Sequence, residues 1–284
     1  MRSTRVRALK HIHDEAYYVI RAAEGWSPSY DLAPKQFKAL VTTENGLYRK
    51  LRQYFGDFAL RRVSEWVNWN AYQTAVVKAA DYTVSLYTVP EDDSKVTTEE
   101  TVMLGVMLDD IKDGMLQGVL GARETYTKWV GTAQVNDLIS QQAIDHAAEL
   151  AKGLTQTTLS DVQRSIQTSI KLGENIEQAT TRLQAYISSP MRAQRIARTE
   201  SVRAYNAGIH DYGKRTGAVT HSWESLPGAD EGSDETPCLD DDAQGEIPYD
   251  DNFDSGDPYP PAHPNCRCIE VVQYDDTSDS TPLI

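Results

Sequence analysis

The chain has 284 residues, of which 40% are hydrophobic and 25% are charged, an ordinary composition for a globular protein. This length is enough for one large domain or two modest ones, each with a buried core. The formal net charge is −14 at pH 7. That charge argues against a protein whose main task is to neutralise nucleic-acid phosphates, because such a task needs clustered Lys and Arg.

The charge is unevenly distributed along the chain. The first ten residues carry basic side chains and no acidic one, whereas residues 224–257 carry many acidic side chains and no Lys or Arg. The basic arm predicts contact with DNA or with an acidic partner surface, or simply a solvated helix start. No segment approaches the roughly 20 apolar residues that span a bilayer, and the N-terminus lacks the apolar core of a signal peptide. We therefore expect a chain with no membrane partner that is made in the cytoplasm and is not secreted.

Most of residues 1–215 are expected to be helical, because apolar residues recur there at intervals of three and four. The clearest run begins at Ala33-Pro34, where a proline suits the first helical turn, and Gly46 and Gly56 are expected to bend or break it. The further helices expected in chain order cover residues 102–120, 135–153, 160–173, 176–187 and 191–210. The segments expected to be strands, from their alternation of side chains, are residues 82–89, 219–223 and 268–274.

The sequence therefore predicts a mainly α fold, with a helical N-terminal region followed by a small α+β C-terminal module. The expected boundaries place the helical region at residues 1–153, the module at residues 154–274 and an acidic, disordered tail at residues 275–284. A long loop rich in Gly, Pro and Asp follows Trp223, and we expect Cys and His side chains to organise it.

One helix face in the module combines small residues with a carboxylate. On a helix over residues 191–210, that face carries Ala193, Ile196, Ala197, Glu200, Ala204 and Ala207. Because an unpaired buried charge is costly, Glu200 is expected to have a cationic or backbone partner, and Arg203 is the nearest candidate. A catalytic role for Glu200 lacks a second acid, a nucleophile or a base at a defined spacing. We therefore predict that Arg198, Glu200 and Arg203 are structural residues.

All the cysteines lie after residue 237, together with a histidine. Cys266 and Cys268 can direct both sulfurs to one side of an extended strand, and Pro264 restricts the backbone of His263. With Cys238 they form a set of three thiolates and one imidazole, which is a closed structural zinc set. An acid-rich, apolar-poor segment would gain stability from such a metal. The segment therefore predicts a structural zinc ion.

Other interpretations of this Cys/His cluster remain open. The cysteines can pack as reduced, small hydrophobic residues, or either later cysteine can form a disulfide with Cys238. A nucleophilic pair of His263 and Cys266 would need a third, orienting residue, which the sequence does not supply. Asp240 or Asp241 is a candidate oxygen ligand for the metal, but the aspartate run lacks the alternating ligand spacing of a calcium loop.

Two motifs in a defined order carry a family resemblance. The first is RAQRIARTESVRAYNAG at residues 192–208, and the second is PPAHPNCRC at residues 260–268. Trp223 and a Thr-Pro-Cys238 loop with Gly245 lie between them. Together they resemble the phage Mu F-like family of minor head, or head-morphogenesis, proteins, over roughly residues 155–272. Family members usually carry Cys-x-x-Cys before the glycine, whereas this chain has Cys238 followed by aspartates.

The resemblance implies a non-enzymatic minor capsid protein of a tailed bacteriophage that acts in procapsid assembly near the portal. It implies that residues 154–274 are the head-morphogenesis domain, that Trp223 is structural, and that residues 1–153 contact the portal or capsid. The implied partners are the portal protein, the major capsid or scaffold protein and, non-specifically, packaged phage DNA. The implied location is the phage head in the virion, after assembly in the host cytoplasm.

Two further functions are alternatives to this expectation. The chain could be a DNA-associated ejection protein that uses its basic N-terminal arm. Binding that ignores salt concentration would count against this function, since phosphate contacts release counterions. The chain could also carry a toxin-like or nuclease-like enzyme domain on the same module. Beyond the isolated Glu200 and the Cys/His cluster, the sequence supplies no catalytic constellation for such an enzyme.

Overall fold

The computed structural model describes residues 34–78, 94–126, 132–225 and 237–275. The helices in these ranges are α1 (Pro34–Asp57), α2 (Trp69–Lys78), α3 (Ser94–Tyr126), α4 (Thr132–Lys171), α5 (Ile176–Ile187), α6 (Pro190–Thr216) and α7 (Pro237–Ala243). A π-helical turn at Phe58–Arg62 and a 3-10 turn at Val63–Trp66 follow α1. The strands are β1 (Thr220–Glu224), β2 (Ile247–Pro248) and β3 (Ile269–Gln273). The predicted mainly α fold with a small α+β C-terminal module is confirmed.

Two predictions about glycines inside helices are wrong. Helix α1 continues through Gly46, and α4 runs unbroken through Gly153, where the sequence predicts a helix end. A single glycine inside a helix costs only about 1 kcal/mol relative to alanine. The buried neighbours Leu47 and Ala151 offset that cost by packing into the core. Packing thus overrides the local preference at both positions.

Some predictions fall outside the described residues. These are the basic first ten residues, the strand at residues 82–89 and nearly all of the acidic tail. Among the helices that the structure describes, none combines the length and the apolar character that a membrane span requires.

The strands form an antiparallel sheet in the order β2-β1-β3. Strand β1 pairs with β3 over its whole length, which places Trp223 opposite Glu270 and His221 opposite Val272. Directly opposed residues point to the same side of a sheet. All four of these side chains are buried, so they line one enclosed face of the sheet.

The described residues group into two compact units, each assembled from separate parts of the chain. The first unit takes the described residues within 1–44, 112–139 and 198–284, and the second takes those within 45–111 and 140–197. The sheet and the Cys/His cluster belong to the first unit. The domain boundary at residue 153 remains a prediction.

The core of the second unit contains a buried cation held by an aromatic ring and a carboxylate. The Arg192 guanidinium lies 4.6 Å from the ring centroid of Phe55, and its Nη1 lies 3.3 Å from Asp161 Oδ2. Burial lowers the pKa of Arg192, and the Asp161 carboxylate acts in the opposite direction. Nearby, the Tyr54 hydroxyl donates to Glu99 Oε2 at 2.8 Å. Arg192 and Tyr54 thus each lie beside a carboxylate of the same unit.

In the first unit, the C-terminal part of α3 packs directly against the backbone of α6. A side chain at Gly118 would overlap the carbonyl of Tyr205, and a side chain at Gly208 would overlap the carbonyl of Met115. Gly114 similarly faces Ala204. Helices α3 and α6 therefore approach each other closely, and this contact needs glycine on both helices.

Buried tyrosines predict a loss of stability at alkaline pH. Burial is the main cause that raises the pKa of Tyr54, Tyr205 and Tyr249 above the ordinary value of about 10. Because the folded state holds these protons more tightly, their contribution to stability is complete below about pH 10 and is lost as the pH rises further. Above about pH 10, each such tyrosine lowers the free energy of unfolding by about 1.4 kcal/mol per pH unit.

The measurement is urea unfolding at a series of pH values between about 9 and 12, with tyrosinate absorbance recorded on the same samples. We expect the buried phenols to ionise only in the step in which the protein unfolds. Full ionisation of every tyrosine in a protein that is still folded would contradict this prediction. Tyr54→Phe is expected to make the loss of stability with pH less steep.

Candidate functional site

The two motifs noted in the sequence lie in contact within the first unit. The Asn265 N–H donates to Thr199 Oγ1 at 3.0 Å, which joins the Cys/His loop to α6. Asn265 has a φ angle of 67°, in the left-handed region that asparagine tolerates better than most residues with a Cβ. Arg203 Nη2 also donates to the carbonyl of Pro261 at 3.5 Å. The second motif is thus held on the helix that carries the first.

Asn206 covers the free edge of β3. Its Nδ2 donates to the carbonyl of Cys268 at 3.0 Å, and its Oδ1 accepts from the N–H of Glu270 at 3.0 Å. These two backbone groups point away from β1 and would otherwise be buried without partners. The completely buried Asn206 amide therefore takes the place of a neighbouring strand.

Glu200 lies where the sequence places a structural carboxylate. It is 8% exposed, and its Oε2 lies 3.5 Å from Arg203 Nε. Ala204, on the same helix face, is buried against Gly114 of α3. The side chain thus sits at the packed face of α6 beside a cation, an arrangement suited to anchoring the helix.

A carboxylate outside the predicted module holds arginines from both motifs. Glu44 Oε2, in α1, accepts from Arg267 Nη2 at 2.7 Å, while Arg198 Nε lies 3.5 Å from Glu44 Oε1. Burial lowers the pKa of Arg198, and the charge of Arg267 lowers it further. Glu44 offsets both effects because it supplies the opposite charge. Sequence reasoning missed this residue, which lies 223 positions before Arg267.

The structure brings three of the four predicted ligands together, and Cys268 lies outside this group but in the same buried cluster. One ligand atom each of Cys238, His263 and Cys266 lies within 4.8 Å of the others. The Sγ atoms of Cys238 and Cys266 are 3.5 Å apart, whereas a disulfide requires about 2.0 Å. The Cys268 N–H donates to Cys266 Sγ at 3.3 Å. All three cysteines are free thiols, so the disulfide interpretation does not describe this structure.

The environment of the thiols opposes a nucleophilic role. Hydrogen bonding with Cys266 and Cys268, together with burial, raises the pKa of the Cys238 thiol. The hydrogen bond with Cys238 lowers the pKa of Cys266, but contact with Cys268 and burial raise it well above its usual range. A nucleophilic cysteine needs a lowered pKa, so a reactive pair with His263 is disfavoured. A divalent metal would reverse this preference, since a coordinated thiol is deprotonated.

An apolar shell encloses the thiols. Trp223 and Phe253 form one buried cluster with the three cysteines, and their rings meet edge to face with centroids 5.2 Å apart. Trp223 is completely buried, as its predicted structural role requires. Exclusion of water from the cluster suits both a closed metal set and the packing of reduced cysteines.

Asp241 does not join the ligand group that forms among the described residues around Cys238. Its side chain is buried at the end of α7, and its Oδ1 accepts from the N–H of Ser255 at 2.9 Å. Burial raises the pKa of this carboxyl. In this structure Asp241 holds the loop after β2, and its suggested role as an extra metal ligand stays a prediction.

Sequence reasoning missed a second group of ligand-type side chains. One ligand atom each of His210, His221 and Glu270 lies within 4.8 Å of the others. These residues come from α6, β1 and β3, so no local spacing marks them as a set. The available signal is weak: the period-two alternation of both strands places His221 and Glu270 on the buried face.

Comparison with protein families supports the resemblance seen in the motifs. Residues 160–271 match the family described as Phage Mu protein F like protein, which suggests a phage head-morphogenesis protein. No curated protein and no solved structure matches the chain significantly. The matched range contains α6, the sheet and the Cys/His cluster. Residues 160–271 of this chain therefore match the phage Mu F-like family, and the resemblance predicted from the motifs is confirmed.

Proposed function

We propose that this chain is a minor capsid protein of a tailed bacteriophage, which acts in procapsid assembly near the portal. The observation that carries this proposal is the family match over residues 160–271. The proposal places the protein in the phage head, with the portal protein and the major capsid or scaffold protein as its partners. The region before residue 154 is proposed to make these contacts, and the basic first ten residues to meet packaged DNA non-specifically.

The geometry of the matched region supports a structural role. Thr199 and Asn206 use their polar groups to hold the Cys/His loop and the edge of β3. Arg198 and Arg267 both form ion pairs with the buried carboxylate of Glu44. Side chains engaged in this way fix the shape of the module, which is what an assembly component must keep when its partners bind.

Particle composition tests the proposed function. The full-length protein is expressed with the head proteins of its phage, and procapsids are purified by sedimentation. We expect the protein in the procapsid fraction at low copy number, and we expect its loss from shells assembled without portal protein. Its absence from procapsids, or equal amounts in shells with and without portal, would overturn the proposal.

We also propose that Cys238, His263, Cys266 and Cys268 hold a structural zinc ion. Two sulfurs bound to one zinc ion at about 2.3 Å lie about 3.8 Å apart in tetrahedral geometry. The 3.5 Å between the Cys238 and Cys266 sulfurs is close to that separation. The Cys268 N–H that points at Cys266 Sγ would stabilise a thiolate there. Zinc would supply this acid-rich loop with stability rather than with reactivity.

Metal content and thermal stability check the zinc proposal. Cys266→Ser and His263→Gln are each expected to lose about one zinc ion per chain relative to the unaltered protein, and to unfold at a lower temperature. His146→Gln, a histidine substitution in α4, serves as the matched control and is expected to keep both properties. Unchanged zinc content and unchanged stability in Cys266→Ser would leave packing of reduced cysteines as the role of this cluster.

A further inference from the structure

His210, His221 and Glu270 meet on the enclosed face of the sheet. The Nδ1 atoms of His210 and His221 lie 2.7 Å and 2.8 Å from the same oxygen, Glu270 Oε1. The side chains of His221 and Glu270 are 0% exposed, while that of His210 is 21% exposed. Two imidazoles thus share one buried carboxylate oxygen, and one of the rings reaches the surface.

The hydrogen-bond partners of His221 place either a proton or a metal ion between this ring and Glu270. His221 Nε2 lies 3.1 Å from the carbonyl oxygen of Asp251, which can only accept, so Nε2 carries a hydrogen. In a neutral imidazole the other nitrogen, Nδ1, then presents a lone pair. That lone pair faces a carboxylate oxygen of Glu270 at 2.8 Å. Two acceptors this close repel each other unless a proton or a metal ion lies between them.

Glu270 is also under-used as a hydrogen-bond acceptor. Its Oε2 is buried, and it has no hydrogen-bond partner among the residues that the structure describes. A carboxylate oxygen is costly to bury without a hydrogen-bond partner. Coordination of an ion would engage this carboxylate and remove the cost.

The two rings are oriented before any ion binds. The His210 ring stacks on Tyr249, with centroids 4.8 Å apart and an interplanar angle of 13°. The Tyr249 hydroxyl donates to the backbone carbonyl of His210. The Phe253 ring packs on the His221 ring, with centroids 4.7 Å apart. The Asp251 carbonyl accepts a hydrogen bond from Nε2 of His221 and so fixes the orientation of that ring. Metal-binding histidines characteristically donate their second N–H to such a carbonyl, which sets the ring orientation.

We propose that His210, His221 and Glu270 form a second metal site, which takes a divalent transition-metal ion of the zinc type. Two imidazole nitrogens and one carboxylate oxygen are ligands that such an ion prefers, and they leave one coordination position open. Ligand atoms bound at about 2.0–2.1 Å lie about 3.4 Å apart. Small shifts of the rings from their present contacts with Glu270 therefore admit the ion. The partly exposed His210 provides its route of entry.

Cobalt substitution distinguishes this site from the Cys/His cluster. Co²⁺ bound by thiolates gives an intense near-ultraviolet charge-transfer absorption, whereas Co²⁺ bound by imidazole and carboxylate gives only weak visible bands. The full-length protein is stripped with a chelator and titrated with Co²⁺, with bound metal counted after dialysis. We expect about one Co²⁺ per chain that adds no thiolate absorption. Excess Zn²⁺ should displace this ion, and excess Mg²⁺ should not.

Two conservative variants complete the test. His210→Gln alters the most exposed ligand, and Glu270→Gln keeps the shape of the buried one. Each is expected to lose the thiolate-free Co²⁺, with far-UV circular dichroism unchanged, while His146→Gln keeps it. Cys238→Ser is also expected to keep the Co²⁺ that is bound without thiolate absorption. The second site can therefore be measured even if the Cys/His cluster binds no zinc. Thiolate absorption from all the bound Co²⁺, or unchanged Co²⁺ binding in both variants, would overturn the proposal and leave a proton as the bridging cation.

Discussion

Gly118→Ala is expected to destabilise the first unit by about 2 kcal/mol, which is the upper cost of an overpacked core, about 3 kcal/mol, less a helical gain of about 1 kcal/mol. The added methyl group would overlap the carbonyl of Tyr205, which belongs to the backbone of α6 and cannot turn aside as a side chain can. The two helices must separate to admit it. That movement also disturbs the close contact between Gly208 and Met115.

Gly105→Ala, in the same helix, is the matched control. Apart from its chain neighbours and the nearby backbone of its own helix, none of the described residues has an atom within 4 Å of a Cβ built at Gly105. Alanine is a better helix former than glycine by about 1 kcal/mol, so this variant is expected to be slightly more stable. Urea unfolding measures the stability change of each variant. Hydrogen exchange in peptides from α6 shows whether the destabilisation by Gly118→Ala lies at the helix contact. Equal effects of the two substitutions would show that the helix contact does not constrain position 118.

Glu44→Leu is expected to cost about 3–5 kcal/mol, the range seen when one partner of a buried ion pair is removed. The substitution leaves Arg198 and Arg267 buried next to each other with no compensating carboxylate from α1. Arg267 is the more affected of the two, since its side chain is only 9% exposed. The Cys/His loop that carries it should then lose protection from hydrogen exchange.

A triple variant and a surface variant test the cause of that loss. Glu44→Leu combined with Arg198→Met and Arg267→Met replaces the whole ionic group by apolar side chains, and it is expected to recover most of the stability. Asp57→Ala, at the C-terminal end of α1, breaks an ion pair with Arg61; the two side chains are 40% and 77% exposed. It should change stability by less than about 1 kcal/mol. A triple variant as unstable as Glu44→Leu would show that packing, and not charge, is lost.

The sequence predicts those features of the fold that depend on neighbouring residues. Apolar spacing is sufficient for the long helices, and alternation is sufficient for β1 and β3. Gly173, expected to close a helix, follows the end of α4 with a φ angle of 65°. Gly153 shows the limit of this reasoning, because its neighbours pack well enough to continue the helix through it.

The candidate site could be predicted only where its members lie close together in sequence. His263 and Cys266 are neighbours along the chain, and Cys238 is suggested by its residue type alone. His210 and Glu270 lie on different elements, and only the pairing of β1 with β3 and the packing of α6 bring them together. Partners of this kind depend on tertiary contacts, which composition and spacing do not encode.

The ion group of Glu44 has a consequence for how the Mu F-like signature is understood. The signature is contiguous in sequence at residues 160–271, yet two of its arginines are neutralised by a residue more than a hundred positions upstream of it. Helix α6 of the signature likewise packs against Gly114 and Gly118 of α3, which also lie upstream of it. A fragment cut to the signature would expose two unmatched guanidinium groups and a bare helix face. We therefore expect the recognisable domain to need the preceding helices α1 and α3 in order to fold stably.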